Sequence, residues 1–361
     1  MSLSVLIAGG GTGGHLYPGI AVARALLARV PDAQVTFVGT AAGIESRVVP
    51  REGFTLDVIR SAGLKGKALR SLLRGLALLP ASALDAWRVI SRRRPSVVIG
   101  VGGYSSGPVV ALAAVRGIPT LLMEQNAVPG LTNRLLASMV SAAAVTYDEG
   151  RAAFGAKAFV AGNPVRPEFF RGEAYAEHSS PPGAARVLVF GGSQGAHAIN
   201  VAMVEAAPRL VAAAPAVAIT HQSGERDLEM VRDGYRRGGL EARVEPFLFA
   251  MDREMNAADL VVCRSGATTL AELTAAARPS ILIPFPGATD DHQRRNAEAL
   301  VRAGAAKMVD QRDLTGERLA TELLALAANE VERRRMGKAA SQLARPNAAT
   351  VIVDRILELA G

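Results

Sequence analysis

The sequence has few of the features that stabilise secreted or membrane-spanning proteins. Its single cysteine, Cys263, excludes an intramolecular disulfide, which fits a reducing compartment such as the cytosol. The N-terminus lacks the basic segment of a signal peptide. No apolar run approaches the roughly 18 residues that a transmembrane helix needs. We therefore expect a soluble or peripheral protein.

Aromatic residues are also scarce, at 4% of the chain, so Ala, Val, Leu and Ile must form the cores. The 361 residues exceed what one hydrophobic core usually organises, which predicts two domains. A net charge of +8 favours an anionic partner. The scarcity of aromatics and the absence of a recognition motif argue against nucleic acid as that partner. A nucleotide phosphate and an anionic membrane surface account for the charge equally well.

Short apolar runs alternate with helical patterns throughout, which predicts an α/β fold of two doubly wound parallel sheets. We expect the two domains to face each other across a cleft. The predicted strands are residues 4–8, 34–38, 55–59, 96–100, 119–123 and 142–146 in the first half, and 186–190, 216–220, 260–263, 280–284 and 306–309 in the second. Helices are predicted at 18–29, with Pro18 in the first turn, and at 347–359.

A glycine-rich turn follows the first strand of each half, at residues 9–14 and 191–195. Glycine lets the backbone turn sharply and lets a phosphate approach N–H groups at a helix N-terminus. The first turn matches the dinucleotide pattern G-x-G-x-x-G, but the second strand ends without the acid that would hold a ribose. A nicotinamide-dependent dehydrogenase is therefore disfavoured.

The domain boundary is expected at residues 162–166, where Gly-Asn-Pro precedes a polar connection. We predict an N-terminal domain over 1–163, a C-terminal domain over 164–345, and a C-terminal helix, 346–361, that packs back toward the N-terminal domain.

His15 follows the first glycine turn and is the candidate general base, although a histidine there could simply pack. The polar triplet of Glu124, Gln125 and Asn126 follows another strand and predicts a substrate contact. Residues 100–108 form a further glycine loop, either a tight turn or part of the site.

Small and hydroxyl residues opening a helix predict a phosphate site in the second half, unless they serve only as a helix cap. They are Ser265, Gly266, Ala267, Thr268 and Thr269. Glu272, one turn further, could accept hydrogen bonds from ribose hydroxyls. The five histidines show no paired ligand spacing, so we expect no metal site and no cofactor.

A basic, leucine-rich segment predicts contact with an anionic membrane, the alternative being a packed helix with a solvated basic face. Its residues are Lys65, Lys67, Arg70, Arg74, Leu72, Leu73, Leu76 and Leu79, with Trp87 beyond.

Seven ordered blocks make the chain resemble, nearly end to end, the lipid II-forming MurG family of glycosyltransferases. They are GGGTGGHLYPGIAVA from Gly9, GVGGYSSGP from Gly100, EQNAVPGLTNR from Glu124, GNPVR from Gly162, GGSQGA from Gly191, CRSGATTLAE from Cys263 and DDHQRRNA from Asp290. The family's members are undecaprenyldiphospho-muramoylpentapeptide β-N-acetylglucosaminyltransferases. One departure is Met123, where members often carry histidine.

This resemblance implies a GT-B fold and an inverting transfer of N-acetylglucosamine from UDP-N-acetylglucosamine to the muramoyl 4-hydroxyl of lipid I. The C-terminal domain would bind the donor, and the N-terminal domain the lipid-linked acceptor, at the cytoplasmic face of the membrane. Other cell-wall synthesis proteins are implied as partners. By the same analogy the donor is contacted by Thr12, Gly13, Gly14, Asn126, Arg166, Ser193, Leu248, Glu272 and Gln293.

The leaving UDP gains negative charge, which the helix N-termini at Ser193 and Ser265, with Arg166, can stabilise without a divalent metal. His15 is the expected base and Glu124 the alternative. Other hypotheses remain: a UDP-N-acetylglucosamine 2-epimerase or a diacylglycerol glycosyltransferase of the same fold, and a membrane scaffold without activity.

Overall fold

The computed structural model describes residues 3–61, 69–171, 184–192, 195–213, 216–288 and 291–361. The chain divides into two compact units, one of Met1–Val165 with Asn347–Gly361 and one of Arg166–Pro346.

The described part of the first unit contains a parallel sheet with strand order β3-β2-β1-β4-β5-β6-β7. The strands are β1 (Ser4–Gly9), β2 (Gln34–Gly39), β3 (Thr55–Val58), β4 (Val97–Gly102), β5 (Thr120–Glu124), β6 (Ala142–Val145) and β7 (Ala158–Val160). The helices are α1 (Gly13–Arg29), α2 (Glu45–Arg51), α3 (Leu69–Arg93), α4 (Ser106–Val115) and α5 (Leu131–Leu136).

The first sheet is buried on both faces, because successive strand side chains point to opposite sides. Val5 and Ile7 of β1 belong to one core cluster, and Leu6 and Ala8 to the other. The C-terminal helix α13 (Ala348–Ala360) joins the first of these cores through side chains such as Ile352.

The second unit repeats this arrangement, with the strand order β10-β9-β8-β11-β12-β13 among the residues described. The strands are β8 (Ala184–Phe190), β9 (Ala216–Gln222), β10 (Ala242–Glu245), β11 (Leu260–Cys263), β12 (Ser280–Leu282) and β13 (Ala306–Met308). The helices are α6 (His197–Val211), α7 (Leu228–Arg237), α8 (Met251–Ala257), α9 (Ala267–Ala275), α10 (His292–Arg302), α11 (Gly316–Ala327) and α12 (Glu330–Leu343).

The two parallel sheets and all eleven predicted strands are confirmed, with ends that differ by up to two residues. Two further strands, β7 and β10, were missed because each is only three or four residues long and β10 contains two charged side chains. Pro18 was wrongly placed in a first turn: α1 begins at Gly13, so Pro18 is its sixth residue.

In each sheet the chain first adds strands toward one edge and then toward the other. The change of direction falls between the neighbouring strands β1 and β4 in the first sheet, and between β8 and β11 in the second. Ligands of open α/β sheets bind beyond the carboxyl ends of the strands at such a switch point. Both glycine-rich turns lie there.

Candidate active site

Two glycine loops pack backbone against backbone at the switch point of the first unit. The Gly10 N–H donates to the Gly102 carbonyl at 3.3 Å. A Cβ on Gly103, whose φ is +82°, would lie 2.4 Å from the Gly10 oxygen. The loop of residues 100–108 is thus more than a tight turn, because it fixes the position of the loop that leads into α1.

His15 is the third residue of α1, directly above these loops. Its ring lies against Gly102, where an added Cβ would be 2.6 Å from the imidazole Nδ1. The same Nδ1 lies 3.1 Å from the amide Oε1 of Gln125, the residue after β5. The half-buried imidazole is therefore held from two sides.

Thr12, Gly13 and Gly14 form the N-terminus of this helix. Thr12 is the extended residue before the first turn, and its side chain makes no capping hydrogen bond. Its carbonyl accepts the N–H groups of His15 and Leu16. Within the first unit, the structure therefore brings these three predicted residues beside His15.

Glu45, on α2, is a site residue that the sequence analysis missed. Its fully buried carboxylate accepts the Gly11 N–H at 2.7 Å, and the Thr40 N–H at 2.8 Å. A Cβ on Gly10, Gly39 or Gly43 would come within 2.5 Å of this side chain. The absence of a side chain at these three glycines makes room for an internal carboxylate, which binds the Gly11 N–H.

Glu124, the alternative base, is the buried last residue of β5. Its Oε1 accepts the backbone N–H of Asn126 at 3.0 Å and its side-chain amide at 3.2 Å. Its Oε2 accepts the Gly130 N–H at 3.0 Å and the Asn133 amide at 2.8 Å. Four N–H donors thus hold the two carboxylate oxygens in place. This geometry favours a role in shaping the loop that carries Asn126.

In the second unit, Gln222 joins the glycine-rich turn to Leu248. Its buried amide donates to the Gly192 carbonyl at 2.8 Å, and its Oε1 accepts the Leu248 N–H at 2.9 Å. A Cβ on Gly195 would lie 1.9 Å from the Ser223 carbonyl oxygen. Sequence reasoning missed Gln222, although its position at the end of β9 was a usable signal. Ser193 lies outside the described residues.

A buried network of polar side chains packs beside this turn. The ring of His221 lies 2.7 Å from the Tyr235 hydroxyl and 3.0 Å from the Asn200 Oδ1. Burial lowers the pKa of His221 to about 3, so this imidazole is neutral. The Asn200 amide donates to the Ser223 carbonyl at 2.8 Å, which connects the network to the turn.

Ser265 and Gln293 meet beside the N-terminus of α9. The buried Ser265 hydroxyl donates to the Gln293 carbonyl at 2.8 Å, and the Gln293 Oε1 accepts the Phe285 N–H at 3.0 Å. The residue capping the helix is Gly266, and no side chain bonds there. Ser265 therefore does not act as an ordinary helix cap. Ala267, Thr268 and Thr269 form the first turn of α9.

Glu272 lies in the second turn of α9. Burial raises the pKa of its carboxyl to about 7, against the opposing charge of Arg166. Arg166, another predicted donor residue, lowers the pKa of this carboxyl by its positive charge. Arg264, to which the sequence analysis gave no role, donates to the Ile283 and Pro284 carbonyls at 3.1 and 3.2 Å and so fixes the neighbouring loop.

No cluster of three His, Cys, Asp or Glu side chains occurs in the ranges that the structure describes. An open groove of about 590 Å³ lies on the second unit, lined by Arg186, Thr220, Arg243 and neighbours, and contains none of the predicted site residues.

The predicted membrane segment is described only in part. Lys65 and Lys67 lie outside the described residues, and so do the side chains of Arg70, Leu72, Leu73, Arg74 and Leu76 within α3. Further along α3, Leu79, Leu84 and Trp87 are exposed, at 41%, 47% and 50%. The Arg116 guanidinium lies 4.6 Å from the centre of the Trp87 ring. Nowhere in the described helices is there a segment of the length and hydropathy that crossing a bilayer requires.

Comparison with known proteins shows which family the chain belongs to. Residues 5–145 match the glycosyltransferase family 28 N-terminal domain, and residues 186–352 match the C-terminal domain of that family. A protein of Anaeromyxobacter sp. (strain K) is 49% identical over 99% of this chain and 93% of its own length. It is named UDP-N-acetylglucosamine–N-acetylmuramyl-(pentapeptide) pyrophosphoryl-undecaprenol N-acetylglucosamine transferase.

Two solved structures are also similar. The crystal structure of Acinetobacter baumannii MurG has a TM-score of 0.79 and 30% identity, and the match covers 99% of both chains. A UDP-GlcNAc 2-epimerase from Neisseria meningitidis, bound to UDP-GlcNAc, has a TM-score of 0.69 at 12% identity, over 99% of this chain and 100% of its own. At that identity the likeness shows the fold alone. The two domain matches, together covering most of the sequence, establish that the chain belongs to glycosyltransferase family 28.

Proposed function

We propose that the protein transfers N-acetylglucosamine from UDP-N-acetylglucosamine to the 4-hydroxyl of the muramoyl unit of lipid I, giving lipid II for peptidoglycan synthesis. The observation that carries this proposal is the likeness, at 49% identity over 99% of the chain, to a relative named for that transfer. The epimerase and the diacylglycerol glycosyltransferase have no comparable support.

We assign the donor to the C-terminal domain, which we take as residues 164–345. The ionised Glu272 carboxylate would accept the ribose hydroxyls, and the α9 N-terminus, from Ser265 to Thr269, would face the diphosphate. Arg166 and the turn that contains Ser193 would add positive potential there. Leu248 would contact the uracil of the donor through its backbone carbonyl, because its N–H is bonded to Gln222. Gln293, fixed by Ser265, would bind the sugar.

The N-terminal domain, residues 1–163 with the helix of 346–361 against it, would take the acceptor. We assign His15 as the general base, because Glu124 is engaged by four donors and imidazole is the side chain that most often serves as a general base. Thr12, Gly13 and Gly14, which precede His15 in the chain, and Asn126, which follows its partner Gln125, would contact the transferred sugar and the diphosphate.

In the transfer, the acceptor oxygen forms a bond to the anomeric carbon as its proton moves to His15. The bond from that carbon to the diphosphate oxygen breaks, and its electron pair leaves with UDP. The attack from the opposite face inverts the configuration from α to β through an oxocarbenium-like transition state. Backbone dipoles and Arg166 can stabilise the charge on UDP, so we propose that no metal is required.

We further propose that the protein acts at the cytoplasmic face of the membrane as a peripheral protein. The exposed Leu79, Leu84 and Trp87 of α3, flanked by arginines, would lie in the interface of an anionic bilayer. Contact with other cell-wall synthesis proteins would follow from the shared lipid substrate.

The test is UDP release from UDP-N-acetylglucosamine with and without a lipid I analogue. We expect release that depends on the acceptor, and a loss of roughly 10²- to 10⁴-fold in His15→Ala with UDP affinity within about twofold of the wild type. Undiminished turnover in His15→Ala would remove the base assignment. Formation of UDP-N-acetylmannosamine without lipid would refute the transferase itself.

A further inference from the structure

A histidine that serves as a base must present its lone pair at the nitrogen facing the substrate. Neutral imidazole carries one N–H and one lone pair, and the partner of one nitrogen determines which tautomer is present. The partner of His15 in this structure is Gln125, which the proposed function leaves without a role.

The orientation of the Gln125 amide is fixed by the chemistry of its neighbours. Its side chain is buried, with 2% exposure, between Val101 of β4 and His15 of α1. The Nε2 donates to the Val101 carbonyl at 3.1 Å, and a carbonyl oxygen can only accept. The amide nitrogen must therefore face Val101, which leaves Oε1 facing His15.

The amide oxygen in turn can only accept a hydrogen bond. Because Oε1 lies 3.1 Å from the His15 Nδ1, that nitrogen must carry the hydrogen. The Gly102 backbone, against which the ring lies, limits its displacement on that side. The Val101 carbonyl thus determines, through the orientation of the Gln125 amide, which nitrogen of the imidazole carries the hydrogen.

We propose that Gln125 is a positioning residue that holds His15 as the Nδ1–H tautomer, so that the lone pair on Nε2 receives the proton of the acceptor hydroxyl. This rests on the proposed role of His15 as the base. When Nε2 takes the proton, the Nδ1–H keeps its hydrogen bond to Gln125, so the amide needs no rearrangement during the transfer.

A neutral partner also suits a base. A carboxylate in the place of Gln125 would stabilise the imidazolium and raise the pKa of the base. The two buried carboxylates of this loop cluster, Glu45 on α2 and Glu124 on β5, are instead bonded to backbone and amide N–H groups.

The tautomer can be measured directly, without turnover. In the full-length protein with ¹⁵N-labelled histidine, His15 is identified among the five histidines by the signal lost in His15→Gln. We expect a protonated Nδ1 and an unprotonated Nε2 in the wild type, and a partial change to Nε2–H in the nearly isosteric Gln125→Met. An Nε2–H tautomer in the wild type, or an unchanged tautomer in Gln125→Met, would overturn the inference.

Kinetics give the second readout. Gln125→Met should lower kcat by at least about tenfold, with the donor KM changed less than about twofold, because the base is misoriented while the donor site is intact. In Gln125→Glu, the acidic limb of the pH profile of kcat, measured at saturating donor, should move upward by about one pH unit or more. The control Gln34→Glu adds the same charge at the opposite end of the strands and should leave that limb in place. A limb that does not move in Gln125→Glu would count against the inference.

The two proposals can fail separately. Normal transfer by His15→Gln, with the Nδ1–H tautomer present in the wild type and lost in Gln125→Met, would remove His15 as the base while supporting the control of its tautomer by Gln125.

Discussion

The Glu45 carboxylate accepts the Gly11 N–H at 2.7 Å, so an anion from the protein itself occupies the first glycine-rich turn. The other carboxylate oxygen accepts the N–H and the hydroxyl of Thr40, at 2.8 and 2.9 Å. One buried side chain therefore joins the loops that follow β1 and β2. Since the first of these loops leads into His15, the carboxylate helps to determine where the imidazole lies.

Replacing Glu45 with Gln should destabilise the first unit. A carboxamide offers one acceptor oxygen and one NH₂ group, so the NH₂ must face either Gly11 or Thr40, both of which donate. The loss of one hydrogen bond to a charged acceptor costs about 1.5–3 kcal/mol of unfolding free energy. The chain's single tryptophan, Trp87, lies in this unit, so its fluorescence during urea unfolding reports the change.

The matched control is Glu358→Gln on α13, in the same unit, where the carboxylate forms an exposed ion pair with Arg355. Exposed pairs contribute about 0–1 kcal/mol, so its unfolding midpoint should barely move. Equal effects of the two substitutions would show that the buried carboxylate does not hold the loop.

Much of the fold could be predicted from the sequence, because apolar strands buried on both faces leave a local signal that needs no knowledge of distant contacts. Val5 to Ala8 is such a run, and it gave both the strand and the glycine turn after it. The strand β10, with Arg243 and Glu245 in four residues, has no such signal and was missed.

The site was predictable only where function and local pattern coincide. His15 follows a glycine turn, so its position in the chain suggested its role. Glu45 and Gln222 act through contacts with residues 34 and 26 positions away, which no local pattern contains. Glu124 looked like a possible base because its type and place fit, and only the four donors around it favour another role.

The raised pKa of Glu272 makes donor binding depend on pH. Burial raises this pKa to about 7, so the carboxylate is mostly protonated below that pH and mostly ionised above it. Ribose hydroxyls bind the ionised form more strongly. Affinity for the donor should therefore fall as the pH falls through 7, with a donor KM up to about tenfold higher at pH 6 than at pH 8.

Initial rates with UDP-N-acetylglucosamine measure this effect, since the diphosphate diester of the donor does not titrate near neutral pH. Glu272→Gln should raise the KM and remove its pH dependence. Glu241→Gln changes an exposed carboxylate of the same unit, and its donor KM should depend on pH as in the wild type. If the donor KM of Glu272→Gln still depends on pH, the titrating group is not Glu272.

The exposed face of α3 provides the test of membrane contact. Leu84 and Trp87 are one turn apart, with 47% and 50% exposure, and Val115 of α4 is 74% exposed. The Arg116 guanidinium stacks on Trp87 and donates to the Ser91 hydroxyl at 3.0 Å, which places a cation beside the apolar side chains. Aromatic and aliphatic side chains next to cations favour the interface of an anionic bilayer.

The double substitution Leu84→Glu and Trp87→Glu should release the protein from phosphatidylglycerol vesicles in a sedimentation assay. Each change removes apolar area worth about 1.5–3 kcal/mol on burial and adds a charge that the lipid repels, so the partition coefficient should fall at least about tenfold. Circular dichroism should show that the double variant still unfolds in one cooperative transition, because about half of each side chain is exposed and neither belongs to the buried core. Val331→Glu replaces a 79% exposed apolar residue of the second unit and should leave vesicle binding intact. Equal binding by the double variant and the wild type would place the membrane contact elsewhere on the protein.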